Sequence, residues 1–336
     1  MRIPATLALT LCCLTGCCQM ATVKTWTPAQ IDVSGMNRLA VLDFSGENGS
    51  AVATAISSRL WENDFYTMVD RSEIQPILQA SYGTTPRLDD IVGPAREAGI
   101  DAIMMGEVVE YRCDDETFQS TDFDFGSSQT KGQQFTSQSN GFGMSFNQTL
   151  VRQGTVTIAF RLIDVDTGDI RATRKVTRNF EGRIVNGQGH IPTQGEVLQT
   201  LTDQCVDEMV GMLAPHVCEE QCKLASSAWH TKGSRQVSQG VKLAKKGNWS
   251  EAETRWKSAL EENPRNDAAL FNLALCSLNR QEFAQAEEYA MQAVRIKHKD
   301  QYVQGLEGIR THRTAFEKTE EQREARVVPA TASVWR

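Results

Sequence analysis

Few side chains in this sequence are of a type and spacing that could do chemistry. The five histidines stand apart at 190, 216, 230, 298 and 312. His190 lies in a Gly-rich stretch with no Ser, Cys or Asp placed to complete a triad. Asp43, Asp70 and Glu107 follow or sit within short apolar runs, so a carboxylate cluster for general acid-base work is conceivable. Capping and turn roles explain the three more simply. Phosphate-binding loops, nucleophile elbows, His-Glu-x-x-His and paired Cys-x2-Cys spacings do not occur. The expectation is a protein that is not an enzyme and uses no cofactor and no metal.

Thiols are the other reactive groups. Cys205, Cys218 and Cys222 fall within one short segment, and a bridge from Cys205 to Cys218 or to Cys222 would suit an oxidising compartment. The sequence does not choose between them. A zinc site from His216, Cys218, Cys222 and His230 is the sharper alternative, but Cys-x3-Cys with those histidines fits no common ligand spacing. Cys17 is different. Residues 1–16 have a basic start, an apolar stretch from Ala5 to Leu14 and the small pair Thr15-Gly16, the layout of a secretory signal peptide. The junction with Cys17 resembles the lipobox of bacterial lipoproteins, which implies cleavage before Cys17 and its lipidation, with acyl chains enough for stable anchoring. Residues 17–37 then form a lipidated tether. With Gln19 nearby and no Asp beside Cys17, the expected localisation is the outer membrane, facing the periplasm.

A length of 336 residues calls for two domains, and 40% hydrophobic with 23% charged residues is ordinary globular usage. No apolar run reaches the roughly 18 residues of a spanning helix. The net charge of -7 makes most of the surface repel phosphate backbones and anionic lipid, so nucleic acid is not an expected partner.

Over residues 38–215 strand and helix patterns alternate. Arg38 to Phe44 reads as a buried strand. Val52, Ile56, Leu60 and Trp61 mark a helix stopped at Asn63-Asp64, and a second strand follows over 65–69. Ser72 and Gln75 form a capping box. Leu88 to Ala98 is a helix ended by Gly99, ahead of an apolar strand over 102–109. Val156, Ile158, Phe160 and Leu162 alternate as one arm of a hairpin that turns at Val165 to Asp169, and 196–213 closes the domain as a helix. The pattern predicts a layered α/β, or α+β, domain.

Four stretches in this order carry a family resemblance: Arg38 to Phe44, Phe65 to Ser72, Gly99 to Glu107, and Leu162 to Asp169. Together they resemble the CsgG-type family of curli assembly/transport lipoproteins. The resemblance covers most of 38–215 and implies a periplasmic sheet-and-helix domain that forms rings, a homo-oligomer. In pore-forming members, amphipathic segments from each copy build a shared β-barrel. Here the matching segment is the insertion 113–152, with Phe123, Phe125, Phe142, Met144 and Phe146 as candidate membrane or docking residues. Its alternation covers about half of the 9 to 11 residues a spanning strand needs. A polar Gln/Ser/Gly-rich loop is therefore the first reading, and a barrel the second.

After a linker over 216–229, residues 230–318 repeat. Gly247-Asn-Trp249-Ser-Glu-Ala252 aligns with Gln281-Glu-Phe283-Ala-Gln-Ala286 at the tetratricopeptide (TPR) period of about 34 residues. Gly240, Ala252, Ala259, Ala274, Ala286 and Ala293 let helices approach closely, Trp249, Trp256 and Phe283 fill the space between them, and Pro264 ends the first repeat. All ten read as packing of an all-α helical-repeat domain. A helix over 301–316 is expected as its cap, with 319–336 as a charged tail. Solenoids of this type resemble modules that bind protein partners on a concave face. The leading expectation is a non-enzymatic envelope assembly or transport accessory. Its rivals are a ring-forming secretion channel and a regulator of a peptidoglycan synthase.

Overall fold

A computed structural model of the chain describes residues 19–70, 73, 88–124 and 143–326. Residues 1–16, Cys17, the Ser72/Gln75 capping box, Phe125, Phe142 and the chain beyond 326 lie outside the described residues, as do the side chains of Phe123 and Met144. Two compact units form among the described residues, one from 28–216 with 320–326, the end of the last helix, and the other from 19–27 with 217–319.

The first unit is mixed α/β. Strand β2 (Arg38–Val41) pairs in parallel with β3 (Thr67–Met68) and with β4 (Ala102–Asp124). Antiparallel pairing then adds β5 (Gly143–Asp164) and β6 (Ile170–Val185), giving the order β3-β2-β4-β5-β6. Helix α1 (Gly49–Asn63) stops where expected, because Asp64 takes a left-handed conformation and donates its N–H to the Trp61 carbonyl. Gly99, at φ 67°, closes α2 (Leu88–Glu97) by donating to Arg96. Helix α3 (Gln194–Leu213) opens on a capping box between Thr193 and Glu196 that the sequence reading passed over.

The helices cover both faces of the sheet. Ile56 and Leu60 of α1 and Val206 and Met209 of α3 pack on Leu39, Met104, Ile158 and Phe160. On the other face Ile91, Val92 and Ala95 of α2 pack on Ala40, Leu42, Ile103 and Ile163. The turn after β5 is fixed by Asp164, whose carboxylate accepts the N–H groups of Asp166 and Thr167 and two bonds from Arg171.

The insertion is not the loop expected from its composition. Strands β4 and β5 stay paired out to Asp124 opposite Gly143; β6 joins β5 as far as Thr149, and beyond it the described parts of 113–152 are a two-stranded ribbon. Ladder hydrogen bonds between backbones need no apolar face, which is why a polar sequence can carry them. Asp115 and Arg152 are direct cross-strand partners and form an ion pair at 2.6 Å, and Arg152 also donates to the Pro192 carbonyl.

The second unit is built from α4 (Ser234–Ala244), α5 (Trp249–Glu262), α6 (Asp267–Asn279), α7 (Phe283–Ile296) and α8 (Asp300–Arg326). Part of the stretch expected as a tether, and most of the one expected as a linker, belong to it, while residues 28–37 join the α/β unit. Residues β1 (Met20–Thr27) and β7 (His216–Lys223) pair as a two-stranded ribbon. Leu224 donates to the Gln19 carbonyl, Gln221 to Thr22 and Thr27 to Cys218, so the two strands run antiparallel. Ala21, Val23 and Thr25 alternate inward and are buried; residues this small give a weak periodic signal in sequence. The capping helix also outruns its expected end, reaching Arg326 into the segment read as a tail.

Candidate functional site

Helix α6 is the centre of the helical unit. Every residue from Ala268 to Leu278 is buried, an arrangement that requires neighbours on all sides. Helices α5 and α7 supply part of the cover, and Ala21 and Val23 of β1 with Leu224 and Ala225 supply the rest of the same core.

Three asparagines, one capping α6 and two within it, about two turns apart, bond chiefly to backbone. Asn272 is completely buried; its amide oxygen accepts the Ala225 N–H at 2.7 Å and its amide nitrogen donates to the Ala225 carbonyl at 2.9 Å. Asn279 accepts the Lys24 N–H at 3.0 Å. Asn266 caps α6 by accepting from Ala269, accepts a bond from Ser227 and donates to the Lys232 carbonyl. The repeat thus grips backbone of its own chain, at Ala225 through a paired donor and acceptor. Sequence reasoning missed these residues, although polar Asn272 inside an otherwise apolar helix was a readable signal.

The ten packing residues behave according to their size and place. Ala252, Ala259, Ala274, Ala286 and Ala293 are fully buried, as is Trp256. A Cβ on Gly240 would stand 2.4 Å from Trp256 Nε1, and one on Gly305 of α8 would stand 2.5 Å from the Phe271 ring, so both glycines permit close helix contact. Trp249 and Phe283 are half-buried against this core, and Pro264 is exposed just past α5. At the start of α6, Asp267 accepts from Lys299 Nζ at 2.7 Å and from the buried Tyr302 hydroxyl at 2.8 Å. Burial pushes the Asp267 carboxyl up, but those two bonds and the Lys299 charge outweigh it and leave it below the ordinary carboxylate range.

Among the described residues the thiols do not pair. Cys205, Cys218 and Cys222, proposed above as disulfide partners, are all free. Cys205 is buried in the α/β core, where its thiol lies 3.7 Å from the Val156 carbonyl. Cys218 and Cys222 stand four residues apart on one strand, about 13 Å, beyond disulfide reach. Burial pushes the thiols of Cys205, Cys222 and Cys276 up to about 11, far from nucleophilic values. Among the described residues no group of three or more His, Cys, Asp or Glu is placed to share a metal ion. Asp43 and Asp70 do share a cleft of about 620 Å³ with Trp61 and Met68. Glu107 sits elsewhere, beside Ser45, so the three carboxylates are not brought together.

Of the possible membrane or docking aromatics, Phe146 is strongly exposed. Phe123 and Met144 are cross-strand partners at the far end of the ribbon. Among the described residues no helix is long and apolar enough to cross a membrane.

Residues 243–308 match a tetratricopeptide-repeat family model, and the C-terminal helical region is TPR-like. No curated protein matches the chain by sequence. Among solved structures, the chain is similar to the LpoB C-terminal domain from Salmonella enterica, with 12% identity, 44% of this chain and 85% of that chain covered and a TM-score of 0.27. It is similar to a PelC dodecamer from Paraburkholderia phytofirmans (12% identity, 57% and 97% covered, TM-score 0.25). A third similarity is to lipoprotein GNA1162 from Neisseria meningitidis (15% identity, 52% and 97% covered, TM-score 0.27). Likenesses this distant do not say what the chain does.

Proposed function

We propose that this chain is a non-enzymatic, lipid-anchored accessory of envelope assembly or transport. Acyl chains on Cys17 hold it to the outer membrane, facing the periplasm. The α/β unit is CsgG-like and oligomerises or docks, and the repeat unit binds protein. The observation that supports protein binding is α6: a helix within the family-matched repeats whose Asn272 reads the Ala225 backbone through both its N–H and its C=O. Because residues 224–225 and β1 occupy that face, a partner uses the exposed surfaces of α7 and α8 or exchanges with the chain's own ribbon. Parallel strands leading into an antiparallel hairpin, in the order of the four resembling stretches, favour the CsgG-like reading of the first unit.

The secretion channel is the second reading, and the β4–β5 ribbon is the observation in its favour. Against it, Asp114, Asp115 and Glu116 are consecutive on β4, so carboxylates fall on both faces and either face turned to lipid would carry charge. A regulator of a peptidoglycan synthase comes third. The anchor is tested by Cys17→Ala in cells. The variant is expected in the soluble fraction, and its persistence in membranes would overturn the lipid-anchored reading.

A further inference from the structure

Charge is unevenly distributed along this acidic chain. Between Gln221 and Ser250 there is no Asp or Glu, against six Lys or Arg. All six are exposed, and among the described residues none of them forms an ion pair with a carboxylate. Arg235, Lys242 and Lys246 recur at spacings of seven and four, which puts them on one stripe running along α4 and just past its end. The opposite face of α4 is its packing face, with Val237, Gly240, Val241 and Ala244 buried.

Trp229 leads into this stripe and is 90% exposed, more than any other large hydrophobic among the described residues. It does not sit on a loose loop. Thr231 donates to the Ala228 carbonyl and Ser234 to the Trp229 carbonyl, while Asn266 holds the Lys232 carbonyl. The indole meets only the His230 ring, edge to face at 5.7 Å. An ordered turn that holds a tryptophan out in water, flanked by unpaired cations, matches the composition of a membrane interface. There the indole sits at headgroup level and cations face anionic phosphates.

The chain's beginning indicates which surface covers this face. Gln19 accepts the Leu224 N–H at 2.7 Å, and only Cys18 separates Gln19 from Cys17. In sequence Cys17 precedes Gln19 by two residues and Trp229 follows Leu224 by five, a span of no more than about 18 Å for the latter. An anchor at Cys17 therefore holds this end of the helical unit close to the bilayer, where cations near the headgroups still feel an anionic surface. We propose that the face carrying Trp229, Lys232, Arg235, Lys242 and Lys246 lies on an anionic phospholipid surface, as a second attachment beside the acyl anchor. This inference rests on the lipid-anchored reading.

The test uses the chain from Cys18 onward, which has no acyl group, sedimented with vesicles of phosphatidylcholine alone or mixed with phosphatidylglycerol. Binding is expected only to the anionic vesicles and is expected to weaken with added salt. Each cation removed should lower the partition coefficient about fivefold. Lys242→Glu with Lys246→Glu should reduce binding more than tenfold, and Lys242→Glu alone should already weaken it, whereas Lys318→Glu, the same single charge reversal on α8, should leave it unchanged. The vesicle-induced blue shift of tryptophan emission should vanish in Trp229→Phe, with the helical circular dichroism of all variants intact. Absence of binding, equal binding to neutral vesicles, or equal loss from Lys318→Glu would overturn the proposal. So would a change of particle mass in Trp229→Ala with vesicle binding unchanged, which would assign the face to another protein surface. Fractionation of Cys17→Ala reads the anchor separately, so failure of the anchor and failure of this face are distinguishable.

Discussion

Asn272 shows how much one side chain can hold in place. Its amide is the partner of both backbone groups of buried Ala225, so Asn272→Ala leaves a donor and an acceptor unsatisfied in the interior. The expected loss is about 2 to 4 kcal/mol, read as a lower melting temperature of the helical signal; an unchanged melt would mean the contact is dispensable. Asp267 provides a pH signature. Its folded-state value lies below the ordinary carboxylate value of 3.8, so its contribution is present above that value and is lost as pH falls through the folded one. Helical melting temperature should fall in acid below about pH 4, and Asp267→Asn should make that fall shallower; an identical acid profile would remove Asp267 from the account. The alanines and tryptophans of the repeat were legible because their 34-residue offset repeats size as well as polarity. The asparagines were not, because each bonds to backbone far away in sequence, which no local pattern reports.

At the scale of elements, helices were read well wherever one face is apolar and an end is marked, as with α1 at Asp64 and α2 at Gly99. The distal ribbon was misread for a physical reason. Period-2 alternation reveals a strand only when one face is buried, and both faces of Thr117 to Thr121 are exposed. All residues of the α/β core lie outside 116–149. Deleting that segment should therefore change the stability of the unit by no more than about 1 kcal/mol, measured by denaturant unfolding. A collapse of the fold would show that the ribbon is structural. If rings of the full-length protein conduct ions and the deletion abolishes conduction, the channel reading gains over the accessory one. The β1–β7 pairing was hidden for another reason: short strands of Ala, Val and Thr carry little hydrophobic contrast, and their partners lie on opposite sides of a whole unit.

For the whole molecule, one of the two units is discontinuous in sequence, because residues 20–27 pair with residues 216–223 across the whole α/β unit. Net charge misled: an average of -7 hides a stretch of six cations without a carboxylate. Chain connectivity also sets an order of events. During synthesis, β1 emerges first and α6, the surface it must cover, emerges after the entire α/β unit. The α/β unit, continuous in sequence, can fold in the interval, while Ala21, Val23 and Thr25 wait with nothing to pack against. Only a finished chain can hide its own first strand. A truncated product would present that strand as an unpaired edge, open to proteolysis and misassembly, and so be marked as incomplete.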